Sequence, residues 1–230
     1  MKIDYQHTDI AWQGYDAFLR QLILDTGARR ICEIGGGANP AIPIDFVQQH
    51  GLDYLIVDIS AEELAKAPTG YRTQVVDIAR AGAAPAADCD LVFSKMLAEH
   101  VQDAAAFHQN CFALLRPGGR AFHFFPTLWA PPFVVNLLLP ERLSYWILNR
   151  VQKGREKSGR MSKFPAYYQW CRGPIQSQLR RLQSVGFEIE RYIGFFGHDG
   201  YYARFPLLPK LHRKVTAFCQ RNRLAALTSF

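Results

Sequence analysis

The chain has 230 residues, 49% of them apolar and 20% charged, with 16 Phe, 10 Tyr and 4 Trp; this excludes a disordered chain and a coiled coil and allows one large domain. Its net charge of +7 is unevenly placed, since residues 1–125 carry 10 Lys/Arg against 15 Asp/Glu and residues 126–230 carry 17 against 5. The basic half reads either as a surface for an anionic partner or as the solvated face of an otherwise apolar half. Five cysteines (Cys32, Cys89, Cys111, Cys171 and Cys219) are widely spaced, with no Cys-x-x-Cys pair and no Cys/His cluster at zinc spacing. They are expected to be reduced, buried thiols in a cytoplasmic protein without a metal site. The first residues lack the basic-then-apolar pattern of a secretory signal. The long apolar stretch 124–148 is broken by Pro126, Pro131, Pro132, Pro140 and the pair Glu141-Arg142, so it is not expected to span a bilayer as one helix.

In chain order, Ile10, Tyr15, Phe18, Leu19, Leu22 and Ile23 fall near helical spacing and predict an amphipathic helix over 9–26, stopped by Gly27. Residues 30–34 form a short apolar run ending in Gly35-Gly36-Gly37-Ala38-Asn39-Pro40, which predicts a strand, a tight glycine turn and a helix from Asp45. The next strand, 54–57, closes on Asp58-Ile59, and Ser60 with Glu63 has the spacing of a capping box. Residues 74–76, followed by Asp77-Ile78, and residues 90–94 give two more strands. A helix over 99–115 is turned by Arg116-Pro-Gly-Gly119 into a fifth strand over 120–125. Strands alternating with helices predict an α/β fold: a doubly wound, mostly parallel sheet with ligands at the carboxyl ends of the strands. From 126 to 172 the rhythm fails, and this proline-punctuated, aromatic and then basic stretch reads as a helical lid inserted over the site. Helical spacing returns over 175–182, and two β-rich runs, 187–196 and 201–205, are joined as a hairpin by Gly197-His198-Asp199-Gly200.

A glycine turn lets backbone amides approach a ligand at a helix start. The turn departs from the dinucleotide fingerprint, because Pro40 stands where the third glycine belongs. Asp58, 21 residues past Gly37, is placed to hold a ribose diol through two charge-assisted hydrogen bonds. At the third strand tip, Asp77 suits an adenine exocyclic amine while Ile78 packs on the ring.

Five ordered signals carry a resemblance: Glu33-Ile-Gly-Gly-Gly-Ala-Asn-Pro40; Val57-Asp58-Ile59; Val76-Asp77-Ile78; Asp90-Leu-Val-Phe-Ser94 with Glu99-His100-Val101; and Leu115-Arg-Pro-Gly-Gly119. Together, over about residues 28–126, they resemble the class I S-adenosylmethionine-dependent methyltransferases, and within them the type 11 small-molecule group. The resemblance implies a seven-stranded Rossmann-like sheet whose last two strands are the hairpin, one of them antiparallel, and S-adenosyl-L-methionine as cofactor with S-adenosyl-L-homocysteine as product. It implies that Glu33, Gly35 and Gly37 contact the methionine moiety, that Asp58 with Ile59 holds the ribose and Asp77-Ile78 the adenine, and that Ser94 and Lys95 line the sulfonium end. Asn39, standing for the loop's third glycine, belongs to the same cofactor set. The chain is then one methyltransferase domain, divided into a cap helix (1–27), a cofactor core (28–125), a lid and acceptor insertion (126–172), a last helix and hairpin (173–205) and a basic tail (206–230).

Two catalytic readings are open. His198 beside Asp199 sits in a turn that shares the cofactor's edge if its strand is parallel, and could take a proton from an acceptor hydroxyl; the same pair is ordinary turn chemistry. His100 is either a base or a packed or capping histidine, and His123, inside the fifth strand, reads as a core histidine. Methyl transfer from a sulfonium needs in-line approach more than it needs a base. Residues 93–96 (Phe-Ser-Lys-Met) lack the Asn/Asp-Pro-Pro-aromatic clamp of amino-directed nucleic-acid enzymes, and no Pro-Cys nucleophile occurs. The expected acceptor is therefore an O or N atom of a small, apolar or aromatic molecule. Two alternatives are carried. One is a lipid or lipid-linked acceptor at a membrane surface, since Arg150, Lys153, Arg155, Lys157, Arg160 and Lys163 follow the apolar stretch. The other is a basic nucleic-acid-binding module.

Overall fold

A computed structural model describes residues 1–85, 88–130, 134, 138, 165–198 and 207–230. In chain order it has β1 (Lys2–His7), α1 (Thr8–Thr26), β2 (Arg30–Ile34), α2 (Ile44–Gln49), β3 (Asp53–Asp58), α3 (Ala61–Leu64), β4 (Arg72–Val75), β5 (Cys89–Lys95), α4 (Ala104–Leu114), β6 (Leu115–Phe124), α5 (Gln176–Val185), β7 (Arg191–Phe196) and α6 (Leu208–Arg221).

Strands β2 and β3 bury nearly every side chain, the pattern of a parallel sheet covered on both faces. Strands β2 to β6 form such a sheet in the order β4-β3-β2-β5-β6, every pair parallel. The chain winds outward from β2 through β3 to β4, then returns to lay β5 on the other side of β2. The switch point between β2 and β5 leaves a crevice outside their carboxyl ends, where ligands of such sheets bind. The expected α/β, doubly wound, parallel architecture is present.

On one layer, α1 buries Ala11, Tyr15, Leu19 and Ile23, one residue per turn, and each of the larger side chains gains about 1.5–3 kcal/mol by leaving water. Gly27, at φ 64°, ends the helix in a left-handed conformation that costs glycine nothing. Ser60 caps α3 by accepting from the Glu63 amide at 3.1 Å.

The structure departs from the expectations in three places. First, β1 is an additional strand ahead of α1. It pairs in parallel with β7 to form a separate two-stranded sheet, Lys2 opposite Arg191 through His7 opposite Phe196. The described strands thus divide into sheets of five and two rather than joining in one of seven, and β7's partner is β1; residues 199–206, with the rest of the expected hairpin, lie outside the described residues. Second, the helix expected over 99–115 is split. Ala98–His100 is a short 3-10 turn, and α4 begins only after Asp103, whose carboxylate caps it at the Ala106 amide, 2.9 Å away. Third, Arg116-Pro-Gly-Gly119 lies inside β6 at a register shift opposite Cys89 to Leu91 instead of preceding the strand. Of the expected lid mainly the flanks are described, and residues 131–133, 135–137 and 139–164 lie outside the described residues. Leu128 donates its amide to the Cys171 carbonyl, and the amides of Tyr167 and Tyr168 donate to the Glu99 carbonyl.

The segment 228–230 fastens the small sheet to the large one. The Phe195 and Ser229 amides exchange hydrogen bonds with the carbonyls of Phe230 and Phe195, and the Thr127 amide donates to the Ser229 carbonyl at 2.9 Å.

Candidate active site

The carboxyl end of β2 runs directly into the glycine turn. Gly35 donates its amide to the Val57 carbonyl at 2.7 Å and sits at φ 78°; a Cβ there would lie 2.8 Å from a Leu97 methyl. Gly36 is buried, and a Cβ would lie 2.7 Å from the Glu33 carboxyl carbon and 3.0 Å from Ile56. At Gly37, φ 43°, a Cβ would stand 3.1 Å from Asp58 Oδ2. The loop thus lies flat on the strand tips. Gly36→Ala is expected to cost about 1–3 kcal/mol in urea unfolding through overpacking against a tethered carboxyl; unaltered stability would show that the loop can lift.

Glu33 is 3% exposed and holds this loop. Its carboxyl accepts from the Ala41 amide at 3.0 Å and from the Tyr54 hydroxyl at 2.6 Å, tying the loop's far end to β3. Burial pushes Glu33 up to about pKa 7, against the lowering effect of those hydrogen bonds. Asn39 is exposed and closes the turn through its amide on the Gly36 carbonyl.

Asp58 ends β3 half-buried. Its Oδ1 accepts from the Ser60 amide at 2.9 Å, which leaves Oδ2 toward Gly37. Ile59 points outward, 67% exposed. Beyond β4, Val76 donates its amide to the Asp58 carbonyl, Asp77 is exposed with Oδ1 on the Ala79 amide, and Ile78 is buried. Asn110 of α4 fixes this tip by donating to the carbonyls of Ile78 and Arg80 at 2.8 and 2.7 Å.

At the tip of β5, Ser94 is fully buried with Oγ 2.8 Å from His123 Nδ1, so its side chain faces the layer beneath α4 and only its backbone reaches the crevice. Lys95 lays its ammonium 4.1 Å from the Tyr15 ring centre and 3.4 Å from Asp16. Met96 follows at φ 54°, a conformation that costs a non-glycine residue about 1–3 kcal/mol and tends to occur at functional sites.

Glu99 is the group that sequence reasoning did not single out, although it stood inside a quoted motif. It is 3% exposed, its Oε2 has no hydrogen-bond partner, and burial pushes it up to about pKa 8. A buried orphaned carboxyl oxygen is the kind of group a ligand or water satisfies. His100 next to it has Nδ1 2.8 Å from the Pro165 carbonyl and Nε2 3.6 Å from Glu99.

His198 lies just past the end of β7. Its Nδ1 is 2.9 Å from Ser229 Oγ, its amide donates to His212 Nε2, and burial lowers its pKa to about 3. Asp199 lies outside the described residues. Among the described residues no group of three or more His, Cys, Asp or Glu is placed to hold a metal ion, and no helix is long and apolar enough to cross a membrane.

Residues 33–123, from the glycine-loop glutamate to the last turn of the core sheet, match the family described as methyltransferase domain. This stretch is similar to methyltransferase domains. The fold of the chain is similar to that of an S-adenosylmethionine-dependent methyltransferase from Mesorhizobium loti, with a TM-score of 0.56 and 21% identity over 87% of this chain and 91% of that one. An S-adenosylmethionine-dependent methyltransferase from Clostridium acetobutylicum is similar at TM-score 0.44 and 13% identity over 51% of each, so the chain spans about half the length of that protein. No curated protein matches the sequence.

The match implies S-adenosylmethionine as cofactor, and the residues present fit it. The flat glycine turn offers a cradle that a Cβ at Gly37 would begin to fill, and Asp58 Oδ2 opens onto that same cradle.

Proposed function

We propose that the enzyme transfers the methyl group to an O or N atom of a small, apolar or aromatic acceptor. The observation that carries this reading is an aromatic wall beside the cofactor crevice. Phe124 is the register partner of Lys95 at the carboxyl edge of the sheet; Trp12 meets it edge-on at 5.4 Å between ring centres and Phe230 stacks on it at 5.5 Å. Trp12 remains 46% exposed, so the wall keeps apolar surface available to a substrate ring.

In this reading the Gly35–Gly37 loop, braced by Glu33, and Asn39 cradle the methionine end. Asp58 binds the ribose hydroxyls, with Ile59 beside it, and Asp77 with Ile78 meets the adenine. The backbone of Ser94 and the Lys95 side chain border the reacting end. The bound cofactor supplies an already activated methyl group, so the protein's part is alignment and exclusion of water. The neutral Glu99 carboxyl and His100, which follow the β5 tip, are the groups assigned here to orient an acceptor hydroxyl or amine. His198 with Asp199 remains the other candidate base. The five buried free thiols support a reducing, cytoplasmic setting.

The test is twofold: binding of S-adenosylhomocysteine by calorimetry, and transfer of radiolabelled methyl from S-adenosylmethionine to a panel of phenols, aromatic amines and aliphatic acids. Transfer to aromatic hydroxyls or amines, lost in Trp12→Ala with cofactor affinity intact, is the expected result. Activity confined to charged aliphatic acceptors would overturn the reading, and unchanged turnover in His198→Ala would remove His198 from the mechanism. A lipid-linked acceptor is the second reading, favoured by the outer face of α6.

A further inference from the structure

Helix α6 is built inside out. Among its described side chains it buries Thr216 and Cys219, with His212 and Gln220 half-buried beside them, and it hydrogen-bonds to the body of the protein through polar groups: His212 Nε2 accepts from the His198 amide, and Gln220 donates to the Tyr5 carbonyl. The apolar residues lie on the opposite side. Leu211 is 60% exposed, Val215 51% and Phe218 62%, with Leu207 just ahead of the helix at 74%. Positions 207, 211, 215 and 218 follow one another at intervals of four, four and three, so they form one continuous stripe along the helix. A helix packed on a globular body ordinarily turns such a stripe inward; here it faces away from the sheet.

Charge identifies what covers it. Residues 207–230 contain five Lys/Arg and no Asp or Glu. At 3.6 residues per turn, Lys210, Lys214 and Arg221 line one edge of the apolar stripe, and none of the three forms an ion pair among the described residues. A second copy of the chain or another protein needs a matching acidic rim, whereas an apolar stripe edged by unopposed cations matches the boundary between anionic headgroups and acyl chains. We propose that α6 docks the enzyme on an anionic membrane surface, with Leu207, Leu211, Val215 and Phe218 entering the acyl boundary and Lys210, Lys214 and Arg221 meeting the headgroups. The docking is independent of the acceptor and of the cofactor site, so its test stands apart from theirs.

The full chain is sedimented with vesicles of phosphatidylcholine alone and of phosphatidylcholine with 30% (about one in three lipids) phosphatidylserine, at low and at physiological salt. The expected result is binding to the mixed vesicles only, weakened by salt. Leu211→Ser with Phe218→Ser is expected to reduce it at least about tenfold, and Lys210→Glu with Lys214→Glu by about fivefold or more for each charge replaced. All four side chains are exposed, and circular dichroism with retained S-adenosylhomocysteine binding checks that the variants are folded. Three results would overturn the proposal: no binding to the mixed vesicles; binding that survives Leu211→Ser/Phe218→Ser in a folded protein; or a wild-type dimer that Phe218→Ser splits without any vesicle binding, which would make a second copy the occupant.

Discussion

Asp58→Ala is expected to weaken S-adenosylhomocysteine binding by about 30- to 150-fold, the equivalent of roughly 2–3 kcal/mol for two hydrogen bonds to a charged acceptor. The geometry isolates the effect. One oxygen of Asp58 is committed to the Ser60 amide, and α3 keeps its own cap through the Ser60 hydroxyl, so the turn survives the substitution. The other oxygen faces the glycine cradle and is the one proposed to hold the ligand. Calorimetric titration of wild type, Asp58→Ala and Asp58→Asn separates the parts, since Asn keeps an acceptor without the charge and is expected to fall between the two. An unchanged affinity in Asp58→Ala would mean that the ribose is bound elsewhere.

The second large effect is on stability against pH. Glu33 and Glu99 are raised from 4.5 to about 7 and about 8 by burial, so between pH 4.5 and 8 the folded chain holds protons that the unfolded chain has released. Stability of the cofactor-free protein therefore falls as pH rises through that window. His108, His123 and His198 act in the opposite sense. Burial lowers them from 6.5 to about 3, 4 and 3, so below pH 6.5 the unfolded chain takes up protons that the folded chain refuses, and stability falls as pH drops. The two slopes cross at about pH 6.5, where the protein is expected to be most stable. Glu99→Gln removes one ionisable group without changing its shape. It is expected to stabilise the protein by about 2–4 kcal/mol at pH 8.5 and to be nearly neutral at pH 5, measured by urea unfolding. An equal effect at both pH values would show that Glu99 is not held neutral by the fold.

The cofactor core was readable because each of its strand tips combines a local and a functional signal. The run 30–34 ends at glycines whose left-handed backbone only the loop explains, and Ser60 with Glu63 announces both the helix and the strand before it. Strand β1 was not read, because Lys2 to His7 mixes charged and half-apolar residues and its partner lies 189 positions away. Periodicity reports which face is buried and says nothing of a partner so distant. The late start of α4 turned on the carboxylate of Asp103, one capping residue against a longer apolar pattern. Ser94 shows the same limit at the site: its place at a strand tip follows from the sequence, yet its side chain follows the pleat inward to His123. Glu99 stood in view as part of a motif, and only its burial marks it out.

The pairing of β1 with β7 also orders the assembly of the molecule. The five core strands come from a contiguous stretch, 30–124, and can pair as soon as that stretch is available. Strand β1 precedes all of them on the chain and must wait, unpaired, until β7 has been made. A strand made ahead of the core is therefore among the last to find its place, and α6, the helix with the apolar outer face, is seated against a sheet that exists only once that closure has occurred.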